Sequence, residues 1–124
     1  MATFLHTMVR VTDPERSRGF YEALGFDFSR EMDIVRNGEL EATNYFFSLG
    51  ESENVLELTY NHDGRSYEIG TAYGHIAISA DDLDGTLATL KDGHGIEPSV
   101  RRTASPKAVR ASASSVTPIV GREH

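Results

Sequence analysis

The sequence predicts an α+β fold of paired βαβββ modules, the second of them incomplete. Three observations carry that prediction. A short apolar strand followed by an Asp-opened helix occurs twice; strand-like runs separated by Asn-Gly and Gly-containing turns follow the first helix; and the two strand-helix units align with a histidine at the same place in each.

Residues 4–11 (FLHTMVRV) are apolar and β-branched and run into Thr12, Asp13 and Pro14, which reads as a strand ending at a helix start. Pro14 suits the first helical position, Phe20 and Leu24 lie one turn apart, and Gly25 is placed to end the helix. Strands are expected over residues 26–35, 41–49 and 54–60, separated by Asn37-Gly38 and by a turn beginning at Gly50. The pattern restarts at residues 75–80 (HIAISA). There Asp81 opens a helix that carries Leu83, Leu87 and Leu90 on one face and stops at residues 93–95. Aligning HTMVRVTDPERSRGFYEALGF at His6 with HIAISADDLDGTLATLKDGHG at His75 puts strand on strand and helix on helix. The expected division is therefore one compact domain over residues 1–98, with modules 4–61 and 73–98, and a tail over 99–124.

The tail is set apart by charge. Residues 1–98 hold 18 acids and 7 bases, whereas residues 99–122 hold 5 bases and no acid. This stretch is rich in Ser, Ala and Arg, lacks aromatics and shows neither strand nor helix periodicity, so it reads as disordered. The three strands that a complete second module needs are not visible in it.

A net charge of -7 argues against binding phosphate backbones or anionic lipid, so neither nucleic acid nor a membrane is an expected partner. The chain has no cysteine, no apolar run long enough to span a bilayer and no signal-like segment at its start, which together predict a cytoplasmic protein.

Strand alternation groups the residues that bear chemistry. Phe4, His6, Met8 and Arg10 share one face of the first strand, Val55, Glu57, Thr59 and Asn61 one face of another, and Tyr73, His75 and Ala77 a third. Glu57 is the most telling, because Leu56, Leu58 and Tyr60 beside it point to a core and leave its carboxylate on the opposite, polar face. Two imidazoles and a carboxylate suit zinc, nickel, cobalt, manganese or iron in the divalent state. Taken singly, each of these residues has a plainer reading: a strand histidine or glutamate facing solvent, a surface arginine at Arg10, a turn-forming asparagine at Asn61. His62, His94 and His124 sit in turn or tail contexts and are set aside as ligands.

The segments HTMVRVTDPERSRGFYEALGF, LELTYNHDG and YEIGTAYGHIAIS resemble the glyoxalase I family (lactoylglutathione lyase) of the vicinal oxygen chelate superfamily, over about residues 4–97. That resemblance implies a homodimer with active sites built across the subunit interface and a divalent metal, usually nickel or zinc. It matches His6, Glu57 and His75 to three of the family's four metal ligands. Arg10 and Asn61 match positions that hold the glutathione part of the substrate. The implied reaction is isomerisation of the methylglyoxal-glutathione hemithioacetal to S-lactoylglutathione, which detoxifies methylglyoxal; glutathione or another thiol is the co-substrate. The resemblance assigns proton transfer to a metal-bound carboxylate, principally a glutamate in a closing strand of the form DPDGYxIEL, with Glu57 as its partner. No such strand is written here, and Glu123 in its GREH context is no substitute. Loss of that ligand would impair both metal binding and proton transfer.

The alternatives are another enzyme of the superfamily (an epimerase, a ring-cleaving dioxygenase or a fosfomycin thiol transferase) or a non-catalytic metal-binding or small-molecule-binding module. The LELTYN and GTAYGHIA segments favour glyoxalase I. The tail itself is compatible with a frameshift. A permitted codon order for residues 107–119, read two bases later, encodes Gly-Gly-Ser-Arg-Ile-Cys-Phe-Val-Arg-Asp-Pro-Asp, close to what the family carries before its last glutamate.

Overall fold

The computed structural model describes residues 1–68, 70–95, 99–102, 108–111 and 118–122. It divides into two units, Met1–Glu68 and Ile69–His124. Both follow the order strand, helix, strand, strand, strand. The first contains β1 (Thr7–Val11), α1 (Pro14–Ala23), β2 (Asp27–Arg36), β3 (Glu39–Leu49) and β4 (Ser52–Asn61). The second contains β5 (Ile76–Ser79), α2 (Leu83–His94), β6 (Ser99–Arg102), β7 (Ala108–Ala111) and β8 (Pro118–Arg122).

In the first unit the ends of α1 follow from local chemistry. The Asp13 carboxylate accepts from Arg16 N at 3.1 Å and Pro14 begins the helix. At the other end Gly25 takes φ 108, a value that an L side chain rarely adopts. Its N–H reaches Glu22 O at 3.0 Å while Phe26 N reaches Tyr21 O at 3.0 Å, and the Tyr21 and Phe26 rings meet edge to face 5.6 Å apart. This is a Schellman stop with its usual apolar clasp.

The sheet has strand order β1-β4-β3-β2, with β1 parallel to β4 and the other pairs antiparallel. Asn37 and Gly38 both have positive φ, 53 and 79, as a tight β2–β3 hairpin requires. Register assigns the two faces. Val9 pairs with Leu58 and Phe47 with Leu56, and these join Val11, Phe20, Tyr21, Leu24 and Phe26 in the buried core. Phe47, Leu56 and Leu58 are at most 1% exposed, so this face holds most of the unit's apolar burial. Tyr21 and Phe28 set their rings 6.4 and 5.6 Å from that of Phe47.

The element boundaries differ from expectation in one respect that matters for the site. β1 begins at Thr7 rather than at residue 4, and Phe4 and Leu5 are 73% and 71% exposed. The facing part of β4 explains the short strand. Asn54 takes φ 52, so β4 departs from extended backbone where residues before Thr7 would otherwise continue to pair.

In the second unit Asp82, one residue after the predicted Asp81, caps α2 by accepting from Gly85 N at 3.0 Å. A Cβ on Gly85 would lie 2.3 Å from Asp82 Oδ2, so glycine here makes room for the cap. Gly95, at φ 65, closes the helix, and Leu90 is fully buried.

The sequence reads as an aperiodic tail after Pro98, yet the structure carries three strands within it. They join β5 in the order β5-β7-β8-β6. The difference has a physical reason: strand pairing is made by backbone groups and does not require side-chain alternation. The pairing is not that of the first unit, however. There the first and last strands lie parallel side by side; here β5 pairs antiparallel with β7, and β8 pairs parallel with β6. The second module repeats the element order without repeating the sheet, and its strands are only four or five residues long. Pro98, Glu123 and His124 lie outside the described residues.

Candidate metal and substrate site

The face of the first sheet opposite α1 is the polar one. Along β4 the side chains of Glu57, Thr59 and Asn61 alternate onto it, and the ladder sets Met8 and Phe46 beside Glu57, Arg10 and Asn44 beside Thr59, and Ala42 beside Asn61. His6 stands one residue ahead of β1, and its Nε2 lies 3.1 Å from Glu57 Oε2. The imidazole is 43% exposed and the carboxylate only 13%, so Glu57 is a largely enclosed acid with an imidazole as its neighbour.

The middle of the face is firmly set. Thr59 donates to Asn44 Oδ1 at 3.0 Å with both residues buried, which satisfies two polar groups that would otherwise destabilise the sheet. Arg30 lies over the Phe46 ring, 4.7 Å from its centroid. Arg10 is exposed, and its guanidinium has no hydrogen-bond or ion-pair partner among the described residues. At the far end Asn61 Nδ2 donates to the Tyr67 hydroxyl at 2.7 Å. The loop between them is held by Asp63, which accepts from Arg65 N at 3.1 Å and from Arg65 Nε at 2.6 Å. The hydrogen bond from the Arg65 side chain keeps the Asp63 carboxyl below its usual range.

His75 belongs to the second unit, where it is exposed and immediately precedes β5. His6 stands in the same relation to β1, so both histidines sit just before the strands in which the sequence predicts them. The register of the repeat is kept even though the strand ends are not. His62, set aside as a ligand, has its Nε2 2.8 Å from Thr43 Oγ1, which in turn donates to Asp33 Oδ1 at 2.8 Å, and its ring stacks edge to face on Tyr60. That chain lies on the α1 side of the sheet, beside Tyr45, whose pKa is pushed up first by burial and then by Glu31 and Asp33.

Two oxygen and nitrogen donors in contact fit the first half of a divalent-metal site of borderline softness. Among the described residues no group of three or more such donors is gathered. Tyr67 and Asn44 are the residues of this face that sequence reasoning misses. A tyrosine six residues past an asparagine at a strand end gives a signal only once the intervening turn is known, and Asn44 stands out only once register sets it beside Thr59.

Residues 3–110 match the Glyoxalase/Bleomycin resistance protein/Dioxygenase superfamily. The chain belongs to that family. Among its relatives, a lactoylglutathione lyase of Haemophilus influenzae is 43% identical over 82% of this chain and 73% of that protein. A probable lactoylglutathione lyase of Vibrio parahaemolyticus is 41% identical over 82% of this chain and 72% of that protein. Among solved structures, the glyoxalase I of Leishmania major, described as trypanothione-dependent, matches with a TM-score of 0.73 at 32% identity, covering 99% of this chain and 87% of that one. Within the family, the chain therefore sorts with the glyoxalase I enzymes.

Proposed function

We propose that this chain binds a divalent metal, nickel or zinc, through His6, Glu57 and His75, and isomerises the hemithioacetal of methylglyoxal and glutathione to S-lactoylglutathione. The observation that carries the reading is the contact of His6 Nε2 with the enclosed Glu57 carboxylate, on the same face as Arg10 and Asn61. The role of His75 rests on the family resemblance and on its position in the repeat.

When bound, the cation supplies Lewis-acid stabilisation of the negative charge that develops on the substrate oxygens. The chain's own residues do the rest. Glu57 Oε accepts the proton from the carbon acid and returns it to the neighbouring carbon. Its low exposure limits exchange of that proton with water. With the cation bound, His6 Nε2 would be a ligand beside Glu57 rather than its hydrogen-bond partner. Arg10, without a partner among the described residues, takes an anionic group of the thiol, and Asn61 takes a hydrogen-bonding one. The second carboxylate of the family's site is absent from this sequence, so turnover is slower than in a protein whose closing strand carries it. We place the protein in the cytoplasm, as a homodimer.

That missing glutamate also favours a second reading, a module that binds metal and thiol without turnover. One experiment separates the two: load the full chain with nickel or zinc and follow S-lactoylglutathione formation from the preformed hemithioacetal. Metal-dependent product formation, faster in a version whose tail is read in the shifted frame, supports the enzyme. Stoichiometric metal binding with no product in the original chain supports the binding module. Absence of metal binding overturns both.

A further inference from the structure

We propose that Arg30 selects among 2-oxoaldehydes: its guanidinium receives an anionic group at the far end of the aldehyde, so the site takes oxoaldehydes with a terminal carboxylate in preference to neutral ones of the same length. The inference deepens the glyoxalase I reading and rests on it.

A bulge puts Arg30 on the face of Glu57. Phe28 pairs with Phe47 and sets its ring 5.6 Å from that core ring, on the α1 side of the sheet. In a regular strand the residue two further on shares a face, so Arg30 would follow Phe28 toward α1. The register instead shifts between them, and Arg30 pairs with Phe46, whose other neighbour is Glu57. Ser29, the residue between, is held at the bulge by its hydroxyl, 2.8 Å from that of Ser48. The guanidinium then lies over the Phe46 ring, 4.7 Å from its centroid, and Phe46 is only 8% exposed although it lies on the side opposite α1.

Register lines up Met8, Glu57, Phe46 and Arg30 across the sheet. Neighbouring strands are about 4.8 Å apart, so Phe46 stands one strand from Glu57 and the Arg30 backbone two, with its guanidinium folded back over the nearer one. The carbon that gives its proton to Glu57 carries two arms. One is the thiol, and the residues that take it lie further along the sheet, Arg10 opposite Thr59 and Asn61 at the end of β4. The other arm, the remainder of the oxoaldehyde, runs along the row over Phe46, where it meets an apolar ring first and a cation after it. Arg30 is exposed and has no anionic partner among the described residues. That sequence of surfaces suits a short apolar stem ending in an anion: the stem packs on Phe46 and the carboxylate takes the planar fork of donors. A neutral chain of the same length covers the charge without pairing it, which costs free energy and sharpens the choice.

The test uses the full chain loaded with nickel, with glutathione as the thiol throughout and two oxoaldehydes that differ only at the far end, 4,5-dioxopentanoate and its methyl ester. Calorimetric binding of S-(3-carboxypropyl)glutathione and S-butylglutathione repeats the comparison without turnover. In the unsubstituted chain kcat/KM for the acid exceeds that for the ester about tenfold, the worth of one charge-assisted pair at a partly solvated site. Arg30→Met leaves an apolar cover on Phe46 and abolishes the preference: the acid loses about tenfold, the ester changes less than twofold, and the two thioethers follow. Arg30→Glu reverses the order. Equal losses on acid and ester show a guanidinium that merely shields Phe46 and overturn the proposal, as does a preference that survives both substitutions. Turnover of the methylglyoxal hemithioacetal with no preference for the acid in the unsubstituted chain sinks the proposal alone. If that chain turns over no hemithioacetal and binds neither thioether, the glyoxalase I reading itself falls and takes the proposal with it.

Discussion

Glu57→Gln separates a metal ligand from a structural acid, because the substitution keeps the shape of the side chain and removes its charge. Two quantities follow from the geometry. The apo protein should hardly notice: the His6–Glu57 contact involves an imidazole that is 43% exposed, and such partly solvated pairs contribute at most about 1 kcal/mol. Glu57 is itself 13% exposed, and enclosing a neutral amide costs less than enclosing a carboxylate, which offsets part of that loss. Metal affinity should respond strongly. Mutating a group that merely orients a ligand costs 10- to 100-fold, so losing an anionic donor should exceed about 100-fold, or about 2.7 kcal/mol. Urea unfolding of the metal-free protein and competition of the loaded protein against a chelator measure the two separately. An unchanged affinity for nickel and zinc would show that Glu57 is no ligand, and a loss of about 3 kcal/mol in the apo protein would show that its role is structural.

Other substitutions test the frame that holds the site. Phe47→Ala removes a fully buried ring packed by Tyr21 and Phe28 and should cost about 3–5 kcal/mol, read as a lower urea midpoint at constant slope. Gly25→Ala should cost about 1–2 kcal/mol from backbone conformation alone, since φ is 108 and nothing lies within 4 Å of the added carbon; an unchanged midpoint would refute the Schellman stop. Tyr45 has a raised pKa because burial disfavours its ionised form, so its contribution is complete below the unfolded tyrosine value and is lost as pH rises through the folded one. Tyr45→Phe should therefore flatten the alkaline fall in stability above about pH 10, and parallel pH profiles for the two proteins would contradict this.

How much of the molecule is legible in the sequence depends on which groups make each element. Side chains write the caps of α1, and Asp13, Pro14 and Gly25 predict its limits closely. Alternation likewise places Leu56 and Leu58 in the core and Glu57 on the opposite face. Where backbone groups decide, the sequence says less. The left-handed conformation of Asn54 accompanies the late start of β1, and β6, β7 and β8 pair without any pattern of alternation. Buried polar residues are a third case: Thr43, Asn44 and Thr59 look like surface positions until register reveals their partners. The histidine repeat is legible, because His6 and His75 keep the same offset from their strands. A hydrogen bond made across a turn, such as that of Asn61 with Tyr67, is not.

The central claim is that His6 and His75 hold one metal ion together with Glu57. Imidazole nitrogen resonances of the full chain, labelled at histidine and titrated with zinc, test it most directly. The account predicts that the signals of His6 and His75 both move to completion at one equivalent per chain while that of His62, engaged with Thr43, stays in place. Movement of His6 without His75, or saturation at His62 instead, would contradict it.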